Sequence, residues 1–187
     1  MSKPMPNAAC AGFTLTELVM VMSIVAILAA IGIPSFKYVT TSNRIASEIN
    51  GLLGDMQFAR SEAIKQGLPV TVCSSTDGAN CNGGNTWRVG WIVFLDSNPA
   101  GTTGTRDAGE AILRTQNGFK STDTLVPAAG NFSAISFNRL GYGATGNAGT
   151  VTLELHDSTA TAQWTRCVAI TPVGMLSTQR AATGSCT

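Results

Sequence analysis

The chain has 187 residues, of which 44% are hydrophobic and only 12% are charged, and its formal net charge is +1 at pH 7. Ordinary globular chains carry about a quarter of charged residues. The balanced charge excludes a strongly basic field that would gather nucleic acid without a local patch. The length favours one domain with an appended segment, and much of the apolar excess stands in one block near the N-terminus.

The first predicted element is a long apolar helix. From Leu18 to Phe36 there are 19 residues without a charge. At about 1.5 Å rise per residue, such a helix approaches the thickness of a bilayer core, about 30 Å. A buried core helix is rarely apolar all round for this length. A secretory signal peptide would carry its small-residue cleavage site after the apolar run, whereas here "AACAG" precedes the run. The sequence therefore predicts a membrane-length helix that stays attached.

The helical pattern continues beyond the apolar run, and we expect Gly32 and Pro34 to kink it. Further along, apolar residues step by four and three positions and form one amphipathic stripe. The stripe consists of Ile45, Ile49, Leu52, Met56, Ala59 and Ala63. A coiled coil would need a longer repeat, and Gly67-Leu68-Pro69 is a stop signal. The sequence predicts one helix over 14–66, whose stripe lies on a sheet of the same chain.

After Pro69 the pattern changes to strands. β-Branched and aromatic runs between turn clusters predict strands at 70–73, 88–96, 111–114, 132–138, 150–156, 163–171 and 174–178. Val151, Leu153 and Leu155 alternate with the polar Thr152 and Glu154, which indicates one buried and one wet face. The predicted fold class is α+β, with a long N-terminal helix packed on antiparallel sheets.

The five cysteines suggest an oxidising compartment. They are Cys10, Cys73, Cys81, Cys167 and Cys186. The second and third enclose a short polar loop and the last two bracket the C-terminal segment, so two local pairs can be drawn and Cys10 is left over. The spacing alone does not fix the connectivity. No pair has C-x-x-C spacing and His156 has no nearby partner, so zinc and thioredoxin-like chemistry are poorly supported. Disulfides are typical of the periplasm or the cell exterior.

Enzymatic and metal-binding patterns are weak. The sequence contains no P-loop, no G-x-S-x-G and no nucleophile–base spacing, so we predict no catalytic residue and no cofactor. One stretch partly matches a calcium-binding loop: Asp96-x-Asn98, then Gly101 at the sixth place and Asp107 at the twelfth. It lacks the final Glu and the flanking helices of an EF-hand. An Asp/Asn-rich turn accounts for it better.

The stretch "GFTLTEL" resembles the type III signal of type IV pilins and of type II secretion pseudopilins. Gly12 matches the last leader residue, Phe13 the new N-terminus that the family methylates, and Glu17 the fifth-position glutamate. Pro34 stands where the family has its helix-kinking proline. The resemblance implies cleavage by a prepilin peptidase, which also removes Cys10. It implies that Glu17 pairs with the α-ammonium of Phe13 on a neighbouring subunit, since a carboxylate in apolar surroundings is costly unless paired.

Nearly the whole chain, from Gly12 to about Arg180, resembles the FimT/FimU/GspH group of minor pilins and minor pseudopilins. The resemblance rests on "MQFARSEAIKQGLPVTVC", "W-x-x-GWIVFLD", "DAGEAILR", "ISFNRLG" and "C-x-x-I-x-P-x-G". It implies the type IV pilin fold. The expected segments are a cleaved leader (1–12), a transmembrane and filament-core helix (13–36), the amphipathic half of the helix (37–66) and a β-rich periplasmic or extracellular domain (67–187).

The resemblance implies a minor pilin that primes assembly of a type IV pilus and is incorporated at its tip. Its partners would be other minor and major pilins, the prepilin peptidase and the inner membrane. The C-terminal domain would lie in the periplasm and later on the pilus at the cell surface. The first alternative is a GspH-like minor pseudopilin of a type II secretion system.

The second alternative is a DNA-binding competence pilin. FimT-type relatives that bind DNA use a C-terminal Gly-Arg-x-Arg element, but here Gly174 is followed by Met175 and the first arginine is absent. Arg166 and Arg180 are the candidate DNA contacts. Removal of the leader with Lys3 leaves 11 of the 12 basic side chains against 11 acidic ones. Phosphate binding depends on several cations together, so the pattern favours protein partners over DNA.

Overall fold

The computed structural model describes residues 12–98, 101–144, 149–181 and 186. Within them, α1 (Leu15–Gln66) is followed by nine strands. The contacts divide the chain into two compact units, Met1–Thr41 and Ser42–Thr187. The helix therefore contributes its first part to one unit and its second part to the other.

The first unit holds the apolar part of α1. Within the described part of the chain, α1 is the one helix whose length and apolar composition would let it cross a membrane. Its large apolar side chains are exposed on all sides, from Leu15 to Val39. Pro34 lies inside the helix, which continues through it. The kink expected at Gly32 and Pro34 stays a prediction.

The second part of α1 buries the predicted stripe. All six stripe residues are buried, and Ile49, the most accessible of them, is 5% exposed. They share one cluster with the inner faces of both sheets. The helix ends where Gly67 takes a left-handed conformation (φ +67°) and its N–H donates to the Ala63 carbonyl. A glycine after the last turn reaches this conformation without the cost of a Cβ.

The nine strands of the described residues form two antiparallel sheets. They are β1 (Val70–Ser74), β2 (Gly90–Leu95), β3 (Ile112–Asn117), β4 (Thr124–Pro127), β5 (Ala134–Phe137), β6 (Gly143–Ala144), β7 (Val151–His156), β8 (Arg166–Ile170) and β9 (Leu176–Arg180). The first sheet has the order β3-β2-β1-β5-β6 and the second β4-β7-β8-β9. Every pairing is antiparallel.

The core lies between the helix stripe and the two sheets. Its largest fully buried side chains include Trp87, Trp91, Phe137 and Leu153. Burying a side chain of this kind contributes about 1.5–3 kcal/mol, and the helix supplies six of the apolar residues on one face. The predicted α+β fold with antiparallel sheets is confirmed. The apolar stripe of α1 is the surface by which the helix packs on the two sheets.

Several strand bounds differ from the prediction, and two short strands, β4 and β6, were not predicted. β2 begins at Gly90 because Trp87–Val89 form a 3-10 turn. Gly90 has φ +112°, and a Cβ there would lie 2.5 Å from the Gln116 carbonyl oxygen. The backbone of β2 thus approaches β3 at a distance that a side chain would prevent. A hydrophobic pattern carries no sign of such a close approach.

Two disulfides are present in the described residues. Cys73 is bonded to Cys81, eight positions away, and Cys167 is bonded to Cys186, nineteen positions away. The first closes the loop after β1, and the second ties the end of the chain to β8. These are the two local pairs that the spacing allowed. Cys10, the fifth cysteine, lies outside the described residues.

Candidate assembly site

The start of α1 is a capping box formed by Thr14 and Glu17. The backbone N–H of Thr14 donates to Glu17 Oε2 at 3.1 Å, and the backbone N–H of Glu17 donates to Thr14 Oγ1 at 3.2 Å. The Thr14 hydroxyl also donates to Oε2 at 3.1 Å. This reciprocal arrangement is what a Thr-x-x-Glu sequence forms at a helix N-terminus. Within the single chain, Glu17 therefore satisfies two donors of its own helix end.

The proposed cleavage point precedes this capping box directly. Gly12 and Phe13 are exposed, and the Phe13 side chain is 88% exposed. Neither residue belongs to the helix, which begins at Leu15. An exposed bond outside the helix can enter a peptidase active site without unwinding a helix. The roles expected for Gly12, Phe13 and Glu17 stay predictions. The sequence analysis did not include Thr14, although the Thr-x-x-Glu signal was present.

A second polar cluster links α1 to the segment before β4. Arg44 Nε lies 2.6 Å from Asp123 Oδ2 and its Nη2 lies 2.9 Å from Oδ1, a bidentate pair. The Asp123 side chain is fully buried, whereas Arg44 is 41% exposed. Arg88 donates to the backbone carbonyls of Asp123 and Ser121. Arg44 thus holds the loop before β4 on the helix, and Arg88 holds it on the 3-10 turn before β2. The sequence alone does not predict these contacts.

Glu48 joins this cluster from the helix. The Ser121 hydroxyl donates to Glu48 Oε1 at 2.9 Å, while the buried Oε2 has no donor among the described residues. Burial, and after it the neighbouring Asp123 carboxylate, raise the pKa of Glu48 to about 7, against the lowering effects of Ser121 and Arg44. Two carboxylate oxygens can hydrogen-bond only when one carries a proton. A proton on Glu48 therefore lets it donate to Asp123.

A third cluster fastens the edge strand β3 to α1. Asp55 on the helix accepts a hydrogen bond from Trp91 Nε1 at 2.9 Å and pairs with Arg114 at 3.1 Å. The Arg114 guanidinium also lies over the ring of Phe58. The fully buried Trp91 thereby has a partner for its N–H, as buried indoles usually do. These contacts orient the first sheet on the helix.

The two candidate DNA-contacting arginines are cross-strand neighbours. Arg166 on β8 stands directly opposite Arg180 on β9. Arg166 Nη1 donates to the backbone carbonyls of Gln163 and Thr165, and Arg180 is exposed. Like charges directly opposite one another on a sheet are unfavourable unless an anion or water screens them. The fold brings the two arginines together, but Nη1 of Arg166 already donates hydrogen bonds to nearby backbone carbonyls.

In the calcium-like loop, the carboxylates bind the protein itself. Asp96 Oδ2 accepts hydrogen bonds from the Thr71 hydroxyl and the Gly104 N–H. Glu110, which the sequence pattern did not include, accepts the N–H groups of Ser97, Asn98 and Asp107. Among the described residues, no group of three or more His, Cys, Asp or Glu side chains could hold a metal ion. The loop is built as an Asp/Asn-rich turn held by Glu110.

The fold and its N-terminal helix define a protein of the type IV pilin class. Residues 7–33 match the prokaryotic N-terminal methylation motif. Residues 48–174, more than half of the chain, match the model of the type II transport protein GspH. The chain therefore belongs to the GspH family of minor pilins and pseudopilins. Proteins of this class are structural subunits of multi-subunit filament or tip assemblies, not enzymes.

Solved structures support the fold. The chain is similar to the type IV minor pilin FimU of Pseudomonas aeruginosa, with a TM-score of 0.58 and 19% identity over 76% of this chain and 93% of that one. It is also similar to the minor pseudopilin EpsH from the type 2 secretion system of Vibrio cholerae, with a TM-score of 0.51 and 12% identity over 74% of this chain and 98% of that one. A search of curated protein sequences gave no significant match. The predicted pilin fold and family are confirmed, and the apolar helix with its methylation motif fits membrane anchoring of a soluble C-terminal domain.

Proposed function

We propose that this chain is a minor pilin of a type IV pilus that primes pilus assembly and is incorporated at the tip. A prepilin peptidase cuts between Gly12 and Phe13, and Phe13 is then N-methylated. The helix over 13–36 holds the subunit in the inner membrane before it enters the filament core. The observation that carries this proposal is an exposed Gly12–Phe13 bond directly before an apolar helix whose first turn holds Glu17.

The chemistry of the cut supports a pairing between subunits. Cleavage creates an α-ammonium group at Phe13, next to an apolar stretch in which Glu17 is the one acidic residue between Leu15 and Arg44 of the sequence. Taking a single carboxylate into apolar surroundings costs several kcal/mol, and a neighbour's ammonium group offsets this. In the isolated chain the carboxylate caps Thr14 instead. Assembly exchanges that contact for one between subunits.

The partners and location follow from the same reading. The apolar helix packs among the helices of other minor and major pilins, and the β-rich domain over 67–187 faces the periplasm and later the outside. The two disulfides are consistent with an oxidising compartment. Once the leader is removed with Cys10, the chain retains an even set of four cysteines.

Mass spectrometry of the protein from native membranes tests the processing step. We expect a mature chain that begins at N-methylated Phe13 and contains two disulfides. Gly12→Leu should leave the leader attached, because the peptidase needs a small residue before the cut. Gly54→Leu is the matched control, since Gly54 is an exposed helix glycine with open space where a Cβ would lie. Normal processing of the Gly12 variant would contradict the assignment.

A role in type II secretion is the second candidate. It is favoured by the description of the family model over 48–174, which is a type II transport protein. The two roles differ in what their loss removes. Deletion of the gene should abolish or greatly reduce surface pili while secretion of exoproteins continues. Loss of secretion with normal pili would instead assign the chain to the type II secretion system.

A DNA-binding role is the third candidate, and the cross-strand pair of Arg166 and Arg180 favours it. Two phosphate contacts would give a shallow salt dependence. Full-length protein in detergent micelles should then retard duplex DNA at low salt, and Arg180→Gln should weaken this binding. Absence of retardation at micromolar protein and low salt would exclude the role.

A further inference from the structure

Three segments of the second unit meet at an exposed apolar surface, which we call the turn patch. It consists of Arg60, Ile64, Leu140, Tyr142, Val173 and Met175. Its five apolar or aromatic side chains are between 49% and 65% exposed. Two come from the turn between β5 and β6 and two from the turn between β8 and β9, while Ile64 comes from α1. Contiguous exposed apolar side chains of this kind mark interaction sites.

The turns of the patch are pressed against each other and against the helix. Gly141 and Gly174 have φ +77° and +75°, and a Cβ on Gly174 would lie 2.0 Å from the Gly141 carbonyl oxygen. A Cβ on Gly141 would lie 2.8 Å from Ile64 Cδ1. The Gly143 N–H donates to the Pro172 carbonyl at 3.0 Å, which adds a further link between the turns. The patch is therefore contiguous and fixed in shape, which lowers the entropy lost on binding.

Arg60 lies at the base of the patch, and its guanidinium has few hydrogen-bond acceptors among the described residues. Its Nη2 donates to the Val173 carbonyl at 3.4 Å, and its buried Nε has no acceptor among the described residues. By contrast, the guanidinium groups of Arg44 and Arg114 form ion pairs with carboxylates, whereas no described carboxylate lies within 4 Å of Arg60. Glu62, two positions along the helix, is already bound by Lys65 and Gln66.

The charge of the patch is one-sided. The turn sequences 138–144 and 171–176 contain no acidic residue, and the first includes Arg139, which is exposed. A cation beside exposed apolar side chains is complementary to a carboxylate flanked by apolar groups. Tyrosine, methionine and arginine are also the residue types enriched at protein interfaces.

We propose that the turn patch docks a neighbouring pilin-class subunit of a different kind, through a segment that carries a carboxylate flanked by apolar side chains. The carboxylate pairs with the Arg60 guanidinium, and the apolar side chains cover Tyr142, Val173 and Met175. The class of the partner rests on the proposed function, whereas its chemistry rests on the patch. This contact lies on the sheet turns and the end of α1, outside the apolar helix segment over 13–36.

Two other occupants fit the patch less well. A second copy bound face to face about a two-fold axis would bring two Arg60 side chains toward each other, and like charges disfavour that pairing. A lipid surface is typically recognised by clusters of four to eight basic residues. The turn segments and Arg60 supply two arginines. Both occupants are outcomes that the experiment below distinguishes.

Site-specific photo-crosslinking in cells tests the proposal on the full chain. A benzophenone amino acid replaces Met175 in the patch or, as a control, Gln179, an exposed residue of β9. We expect the Met175 probe to form an adduct with another pilin-class subunit, at a peptide that contains Asp or Glu beside apolar residues. The Gln179 probe should not give this adduct. An adduct with lipid alone or with a second copy would overturn the proposal.

Charge exchange then tests the role of Arg60. Arg60→Glu should reduce the adduct about tenfold, and Asp→Arg or Glu→Arg at the crosslinked carboxylate of the partner should restore it. Because Arg60 is partly buried, Leu140→Ser serves as a second variant; its side chain is 65% exposed, so the fold should be unaffected. It should weaken the adduct several-fold with both disulfides and the unfolding midpoint unchanged. An adduct that neither variant reduces would overturn the proposal.

The outcome is separable from that of the proposed function. Processing at Phe13 and the presence of the chain in the pilus fraction judge the proposed function, and neither depends on the patch probe. Suppose that processing and incorporation are normal but that neither Arg60→Glu nor Leu140→Ser reduces the Met175 adduct. That outcome would overturn the docking proposal and leave the proposed function intact. An unprocessed chain without pilus incorporation would remove the proposed function, whatever the Met175 probe captures.

Discussion

The guanidinium of Arg114 on β3 lies over the ring of Phe58 on α1, with 3.7 Å between its central carbon and the ring centroid. The same side chain pairs with Asp55, one helical turn before Phe58. Because β3 is an edge strand of the first sheet, this one side chain fastens the edge of the sheet to the helix. Both contacts join residues that are far apart in the sequence. Arg114 is 56 positions from Phe58 and 59 positions from Asp55.

Removal of this contact should destabilise the domain modestly. Arg114→Ala should lower the free energy of unfolding by about 1 kcal/mol, because an exposed cation–π contact contributes about 0.5–1 kcal/mol and a surface ion pair about 0–1 kcal/mol. Urea unfolding of the full chain in detergent micelles, followed by tryptophan fluorescence, measures this change. Arg180→Ala on the exposed edge strand β9 is the matched control and should leave the midpoint unchanged. An equal loss in both variants would argue against a specific role for Arg114.

The periodic features of the fold could be predicted from the sequence. The stripe from Ile45 to Ala63 repeats at helical spacing, and every stripe residue is buried as that spacing requires. The alternation in β7 is reproduced residue by residue in its burial pattern. The Gly12–Phe13 and Glu17 positions follow from a local motif. Each of these signals lies within one continuous stretch of chain, so one sequence is enough to detect it.

The remaining features depend on contacts between distant residues. Asp55 meets Trp91 and Arg44 meets Asp123 only after the sheets have folded onto the helix, and the sequence holds no periodic sign of either pair. β6 has two residues and β4 has four, so neither has enough alternation to be detected. Their pairing with β5 and β7 defines them. Side-chain chemistry between elements therefore had to come from the structure.

The stability of the domain should fall as the pH rises from about 4.5 to about 7, through Glu48. Its pKa is raised in the folded chain to about 7 from the usual 4.5, so the folded state binds more protons than the unfolded state in this range. Stability due to this group is fully present below pH 4.5 and is lost above pH 7. Since Glu48 is partly solvated, we expect a change of about 1–2 kcal/mol after allowance for solvent screening.

Urea midpoints of the wild type and of Glu48→Gln at pH 5.0 and pH 8.0 measure this effect. Glutamine stays neutral and keeps a donor toward Asp123, so the variant should lose most of the decrease between the two pH values. Glu62→Gln is the control, because Glu62 lies on the same helix and its pKa is lowered by Gln66 and Lys65. A midpoint that changes between pH 5.0 and pH 8.0 by the same amount in the wild type and in Glu48→Gln would contradict the assignment to Glu48.

The Cys167–Cys186 disulfide should stabilise the second sheet by tying the end of the chain to β8. Its loop of 19 positions corresponds to about 3 kcal/mol in the chain-entropy account of disulfides. Cys167→Ala/Cys186→Ala should therefore lower the free energy of unfolding by about 2–3 kcal/mol. Chemical denaturation of the full chain with and without the pair gives the difference. The variant Thr178→Ala, at an exposed position of β9 that faces Val168, is the control for local changes in the sheet edge.

The capping box at the start of α1 gives the last prediction. Thr14→Val keeps the shape of the side chain but removes the hydroxyl that accepts the Glu17 N–H and donates to its carboxylate. Loss of an N-cap costs about 0.5–2 kcal/mol of local helix stability. Amide hydrogen exchange of the full chain in micelles should accordingly speed up severalfold at residues 15–18, with no change in the stripe from Ile45 to Ala63.

Thr14→Ser retains the hydroxyl, so amide exchange at residues 15–18 should be as slow as in the wild type. This control distinguishes loss of the hydrogen bonds to Glu17 from the effect of any substitution at position 14. Thr16→Val is a further control, because Thr16 neighbours the box and its hydroxyl contacts only the Thr14 hydroxyl among the hydrogen bonds of the described helix start. If Thr14→Val and Thr16→Val raised exchange equally, Thr14 would have no special place at the helix end. If Thr14→Val alone did so, the Glu17 carboxylate of the unassembled chain would be occupied by its own helix, and a neighbour's ammonium group would have to displace Thr14 to bind it.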